Sequence, residues 1–228
     1  MRFNVTELAV LLVASSIVGL TGAAALSESK ERSDDGLCLS HLRRLSVGLA
    51  AYSHDNDGTL PLSLTRQGLW MDLLDPYTSS TREQRMAYDL STPYHCPTAL
   101  KAHPVFNRTN GNTFGINGFT VGRQDYIGEA KDWVEMDVVR QFRWDRIKNP
   151  RTLAAFGDGH WNEERNEAIQ RVGEKSWIYS IETHAWAFPE RLHSGGANFA
   201  FYDGHAKHVA DIPLQMRNSF WWPTRNQK

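Results

Sequence analysis

The residues best equipped for chemistry in this sequence are histidines and aspartates near its C-terminus. Asp158-Gly159-His160 and Asp203-Gly204-His205 repeat one tripeptide, and His184, His193 and His208 lie close by in sequence. Imidazoles and carboxylates are the usual ligands of zinc and related ions. The candidate metal set is therefore Asp158, His160, His193, Asp203 and His205, and the activity it implies is metal-dependent hydrolysis. The spacing fits no compact ligand pair such as H-E-x-x-H. No G-x-S-x-G elbow and no phosphate-cradling glycine loop is present. A structural role for the same residues is the stronger reading, with no catalytic residue assigned.

Two further groups have chemical potential. Cys38 and Cys96 are the two cysteines. They lack the C-x-x-C spacing of a zinc or redox site. Two buried thiols and one disulfide both remain open from sequence alone. Asp55-Asn56-Asp57-Gly58 reads as half a calcium loop, but position 66, where the closing glutamate should stand, is Arg. A polar, helix-ending turn accounts for these four residues, with a looser Ca2+ site as the alternative; otherwise no cofactor is expected.

The elements that carry these residues follow from periodicity. Cys38, Leu42, Leu45, Leu49 and Tyr52 recur at alternating spacings of four and three, one face of a helix, with Arg43 and Arg44 off it. A helix is expected to run from about Val5 to about His54, disturbed at most at Gly36, and to end at the Asp55–Gly58 turn. Its first half, 8–26, carries no charge and would span about 28 Å, close to a bilayer's hydrocarbon core. The alternative for this segment is a cleaved secretory signal. Glu7 at its mouth argues for a retained anchor, because a signal peptide favours positive charge there.

Trp70–Tyr77 predicts a short helix stopped by Pro76. Glu129–Arg146, charged and aromatic, suggests part helix. Strands are expected at Thr152–Phe156, ending at Gly157-Asp158-Gly159, and at Ala197–Tyr202. Asp203-Gly204 then predicts a two-residue type I′ hairpin turn, with Ala200 facing Lys207 and Phe199 facing His208. Asn110–Phe119, rich in glycine and asparagine, predicts turns around a short strand. Trp221 and Trp222 lie in an aromatic C-terminal stretch that either packs on the sheet or docks a neighbour. The 25 basic and 26 acidic side chains nearly cancel, so nothing draws the chain to nucleic acid.

Phe3-Asn4-Val5-Thr6-Glu7 followed by the apolar run resembles the type IV prepilin signature. In that family a peptidase cuts before the aromatic residue, the new amine is methylated, and the glutamate pairs with a neighbour's N-terminal charge. Arg2 stands where the family has Gly. Cys38-Leu39-Ser40-His41-Leu42-Arg43-Arg44-Leu45, continued by Tyr52 and Asp55-Asn56-Asp57-Gly58, is similar to a segment of bacterial pseudopilin-like proteins, including planctomycete and verrucomicrobial ones. His193, nine residues and then Asp203-Gly204 resembles the motif at that group's C-terminus, together with Gly195, Gly196 and Asn198. Cys96-Pro97 resembles its Cys-Pro element, which implies that Cys96 approaches Cys38 and bridges head to stalk.

The resemblance implies an α+β, pilin-like fold: a long N-terminal helix, half transmembrane, packed on an antiparallel sheet. Its parts would be a prepilin-like segment and membrane helix at 1–26, an extracytoplasmic helix at 27–58 and a globular head at 59–228. The implied role is a non-enzymatic subunit or accessory of a type II secretion or type IV pilus-like assembly. Its partners would be other pilin-like subunits, the assembly machinery, prepilin peptidase and membrane lipid. The chain would sit in the inner membrane with its head in the periplasm. Rival readings are an anchored or surface binding protein outside any fibre, and the secreted hydrolase described above.

Overall fold

The computed structural model describes residues 30, 32–62, 64–65, 68–102, 113–117, 125–127, 132–134, 143–162, 167–169 and 191–212. Expectations for Arg2, Phe3, Glu7, the apolar run 8–26 and the C-terminal aromatic stretch fall outside these residues. No helix among the described residues is long and apolar enough to cross a membrane.

The first element is helix α1, residues 32–55. Cys38, Leu42, Leu45 and Leu49 are fully buried along one face, as their spacing predicts. Tyr52 completes the stripe with its ring edge-on to Tyr77 at 5.6 Å. Arg43 and Arg44 are exposed. Gly36 does not interrupt the helix: its solvent-facing backbone keeps the helical pattern through that position. The helix stops where Asp57 takes a left-handed conformation (φ 53°) and the Gly58 N–H donates to the Ser53 carbonyl at 2.8 Å. This six-to-one bond is the usual closure of a helix C-terminus.

The stripe packs on a four-stranded antiparallel sheet of β3 (Phe114–Ile116), β6 (Ala154–Asp158), β9 (Ala197–Phe201) and β10 (Ala206–Val209), in the order β10-β9-β6-β3. The described part is therefore α+β, with helix on sheet. Two-stranded ladders pair β1 (Leu64–Thr65) with β2 (Gly68–Leu69), β4 (Asp125–Ile127) with β5 (Asp132–Val134), and β7 (His160–Asn162) with β8 (Glu167–Ile169).

The inner face of the sheet joins Phe114, Ile116, Phe156, Ala200 and Ala206 to the helix leucines, Trp70 and Tyr94. The outer face gathers Ala154, Ala197, Phe199, Phe201 and Ile212. Ala154 and Phe156 are two residues apart yet lie in different clusters. A register shift between them, a β-bulge, breaks the period-two rule locally.

Four expectations need correction. The strand expected from Thr152 begins only at Ala154, because the Thr152 and Leu153 N–H groups donate to the Asn149 carbonyl (3.1 and 3.0 Å) in a turn; it ends at Asp158, whose carboxylate accepts from the Asn198 N–H at 2.6 Å and ties the strand end to β9. Pro76 does not stop α2 (Trp70–Leu74) outright; the chain tightens into a 3-10 turn, Asp75–Tyr77, in which Pro has no N–H to satisfy. Within Glu129–Arg146, the described residues form β5 and a 3-10 turn, Trp144–Arg146, and no α-helix.

The hairpin register is the fourth. Ala200 pairs with Ala206 and Phe199 with Lys207, one residue off the prediction. Only Gly204 (φ 89°) has positive φ there, so the turn cannot be type I′. The Gly204 N–H donates to the Phe201 carbonyl at 3.0 Å and the Phe201 N–H to the His205 carbonyl at 2.9 Å, closing a three-residue loop. The I′ geometry occurs nine residues earlier, at Ser194-Gly195. His193 and Gly196 exchange both backbone hydrogen bonds (3.1 and 2.8 Å) around Ser194 (φ 46°) and Gly195 (φ 79°).

Candidate functional site

A buried disulfide joins Cys38 of α1 to Cys96, with Cα atoms 4.8 Å apart. Cys96 is set by its neighbours in sequence. Its N–H donates to the Thr113 hydroxyl at 2.5 Å, and, after the short α3 (Arg82–Met86), Pro97 opens α4 (Pro97–Ala102), the position where a missing N–H costs nothing. At the start of α1, Asp34 forms an ion pair with Lys101 in the last turn of α4. Helix and head are therefore held covalently and ionically at one end of the sheet.

His193 lies against this bridge. The Ser194-Gly195 turn points its ring into the core, where it is fully buried. Its Nε2 is 3.3 Å from the Cys96 sulfur and 3.4 Å from Asp158 Oδ2. Its Nδ1 is 2.5 Å from Asp35 Oδ1. Burial pulls the imidazole pKa down, but the hydrogen bonds and charges of Asp158 and Asp35 outweigh it. The net direction is upward, toward a ring that donates from both nitrogens. The Asp158 side chain is itself buried, and its Oδ1 has no hydrogen-bond partner among the described residues. Three elements and a tight turn thus converge: α1 supplies Cys38 and Asp35, the segment before α4 Cys96, β6 Asp158, and the turn before β9 His193.

Among the described side chains of the histidine–aspartate set, the fold joins Asp158 to His193 and, separately, Asp203 to His205. Asp203 and His205 pair with each other at 2.5 Å across the hairpin loop. They lie at the opposite end of β9, about 15 Å away along the strand. The hydrolytic set is thus split in two, and the His160 side chain is outside the described residues. His193 clasps the disulfide and the helix start, and not the Asp203-Gly204 turn. Comparison of the chain with family models, curated proteins and solved structures finds no match. The Asp55–Gly58 turn is anchored through its backbone, the Gly58 carbonyl accepting from the Trp144 N–H at 2.7 Å. The side chains of Asp55 and Asp57 face solvent.

Sequence reasoning missed Asp35, although a signal was available: it lies three residues before Cys38, on the same helical face. It also missed a polar core beside the site. Arg85, almost fully buried, reaches Asp72 at 2.5 Å and Asp75 at 3.1 Å. The Arg85 carbonyl accepts from His95 Nε2 at 2.9 Å, and the His95 carbonyl accepts from His41 Nδ1 at 2.7 Å. This chain of bonds fixes the segment that carries Cys96 against α1.

Proposed function

We propose that this protein is a non-enzymatic, pseudopilin-like subunit or accessory of a type II secretion or type IV pilus-like assembly, anchored through the apolar segment 8–26. The observation that carries the reading is the fixing of α1. Its apolar face is sunk into the antiparallel sheet, and the Cys38–Cys96 bridge, the Asp34–Lys101 pair and the Asp35–His193 bond cluster at its N-terminal end. A helix that transmits load from a membrane segment to a head needs its strongest attachment near that segment. Cys38 is twelve residues beyond Leu26, about 18 Å along a continuous helix. In the assembly the 8–26 helices would pack side by side, Glu7 would neutralise a neighbour's N-terminal charge, and the heads would lie outside. A covalent head-to-stalk link also suits an extracytoplasmic compartment, where disulfides persist.

The test is Glu7→Ala in the native host with cysteine-independent crosslinking of membranes. Loss of head-to-head crosslinks, with the protein still in the membrane, is the expected outcome. Undiminished crosslinking would count against side-by-side assembly.

A further inference from the structure

The disulfide, His193 and Asp158 also have the makings of a second state. We propose that the dithiol form of this chain binds one zinc ion through Cys38, Cys96, His193 and Asp158. The Cys38 and Cys96 sulfurs and a ring nitrogen of His193 already lie within 4.8 Å of one another, all buried. His193 Nε2 is 3.3 Å from the Cys96 sulfur and 3.4 Å from Asp158 Oδ2. A tetrahedral ion with sulfur ligands at about 2.3 Å and nitrogen or oxygen ligands at about 2.0 Å sets its ligand atoms roughly 3.4–3.8 Å apart. The ring nitrogen is at that spacing from the Cys96 sulfur and from Asp158 Oδ2; the two sulfurs must part, and the Cys38 sulfur must close on the ring.

Two independent observations favour a ligand. Asp158 Oδ1 is a buried carboxylate oxygen with no partner among the described residues, beside the imidazole. Such an atom normally faces a water or an ion. On the far side of the ring, Asp35 takes the Nδ1 proton at 2.5 Å, the arrangement in which a carboxylate orients a metal-ligating histidine. Two thiolates, an imidazole and a carboxylate suit zinc, and disfavour calcium and magnesium, which select oxygen ligands.

The chemistry balances without an added reductant, because the chain is synthesised with both cysteines as thiols. Zinc binding releases one proton from each thiol, together with the His193 Nε2 proton when the ring carries it, while Nδ1–H stays on Asp35. Oxidation by a disulfide-bearing partner then transfers two electrons from the two thiolates. The partner takes up two protons to become two thiols, the S–S bond closes between Cys38 and Cys96, and the ion leaves. The proposal is independent of the assembly reading.

The test uses the full chain, oxidised and after reduction by a trialkylphosphine; phosphine and water become phosphine oxide while the disulfide becomes two thiols. Each form is titrated with Co2+ and then Zn2+. The reduced chain should take up one ion, with a thiolate-to-cobalt charge-transfer band and tetrahedral d–d bands that zinc abolishes; the oxidised chain should show neither. His193→Gln and Asp158→Asn should each weaken binding at least about 10-fold, and Asp35→Asn about 10-fold through ring orientation. Near-ultraviolet circular dichroism of each reduced variant monitors folding. No stoichiometric cobalt spectrum, or affinity unchanged in both His193→Gln and Asp158→Asn, would overturn the proposal. So would a reduced chain that unfolds and is not restored by zinc.

Discussion

Protonating His95 would place a second N–H on Nδ1, an atom with no hydrogen-bond partner among the described residues. Nε2–H already donates to the Arg85 carbonyl, and the ring is fully buried. Burial is the largest cause, with the His41 and Arg85 charges acting the same way, and the pKa is pulled down to about 4. His41 is shifted in the same direction by burial and by Arg44. For a depressed histidine the unfolded chain takes up the proton first as pH falls. Stability contributed by neutral His95 is thus complete above about pH 6.5 and is lost on the way down to about pH 4, a loss of roughly 3 kcal/mol. Urea unfolding at neutral pH and near pH 4.5 should show this, and His95→Gln, which keeps a donor for the Arg85 carbonyl, should flatten the slope. An unchanged slope would mean that another group governs it. Glycines give a sharper local contrast. A Cβ on Gly196 would meet the Val209 carbonyl oxygen at 2.4 Å and Ala210 Cα at 2.8 Å, both backbone atoms that cannot swing aside. Gly196→Ala should cost about 3 kcal/mol, whereas Gly36→Ala, in open space on helix α1, should stabilise by up to about 1 kcal/mol. Thermal melts of the pair measure both signs.

At the scale of elements, α1 is held by burial and by a covalent link, and the two are separable. The Cys38–Cys96 bridge closes a segment with a sequence separation of 58, which in the chain-entropy model stabilises by about 4 kcal/mol. Cys38→Ser should therefore lower the unfolding free energy by up to about 4 kcal/mol in metal-free buffer, read from denaturant midpoints. A loss under 1 kcal/mol would show that packing of Leu42, Leu45 and Leu49 alone determines how firmly helix and sheet are joined. The helix was the most legible element, because Cys38, Leu42, Leu45 and Leu49 repeat cleanly on one face and no competing period is present. The strands were legible as elements but not in register. Asp203-Gly204 carries the composition of a type I′ turn, yet Asp203 keeps negative φ and the loop takes three residues. Ser194-Gly195, with a less typical residue first, makes the I′ turn. Local composition could not choose between them; the three-residue loop sets Ala206 rather than Lys207 opposite Ala200, which buries Ala206 in the core and leaves Lys207 exposed. The site was half legible: Cys38, Cys96, His193 and Asp158 were marked, but Asp35 was not, and Asp203 and His205 were grouped with Asp158 and His193, from which the length of β9 separates them.

For the whole molecule, the placing of the covalent and ion-pair attachments at one end of α1 gives the fold a direction, while bonds to backbone carbonyls, such as Ser46 to Phe201, run along its length. The disulfide, the Asp34–Lys101 pair and the His193 clasp all lie on the side of α1 that leads back toward the apolar run. The opposite end of the helix closes in a polar turn held by the Gly58–Trp144 backbone bond. A protein that only had to stay folded would gain equally from a bridge at either end. The most direct test of the anchored, assembling subunit is mass spectrometry of the mature N-terminus, on protein taken from membranes of the native host. The account predicts a chain that begins at N-methylated Phe3, despite Arg2 before it. A chain that begins at Leu26 and is recovered in the soluble fraction would contradict it.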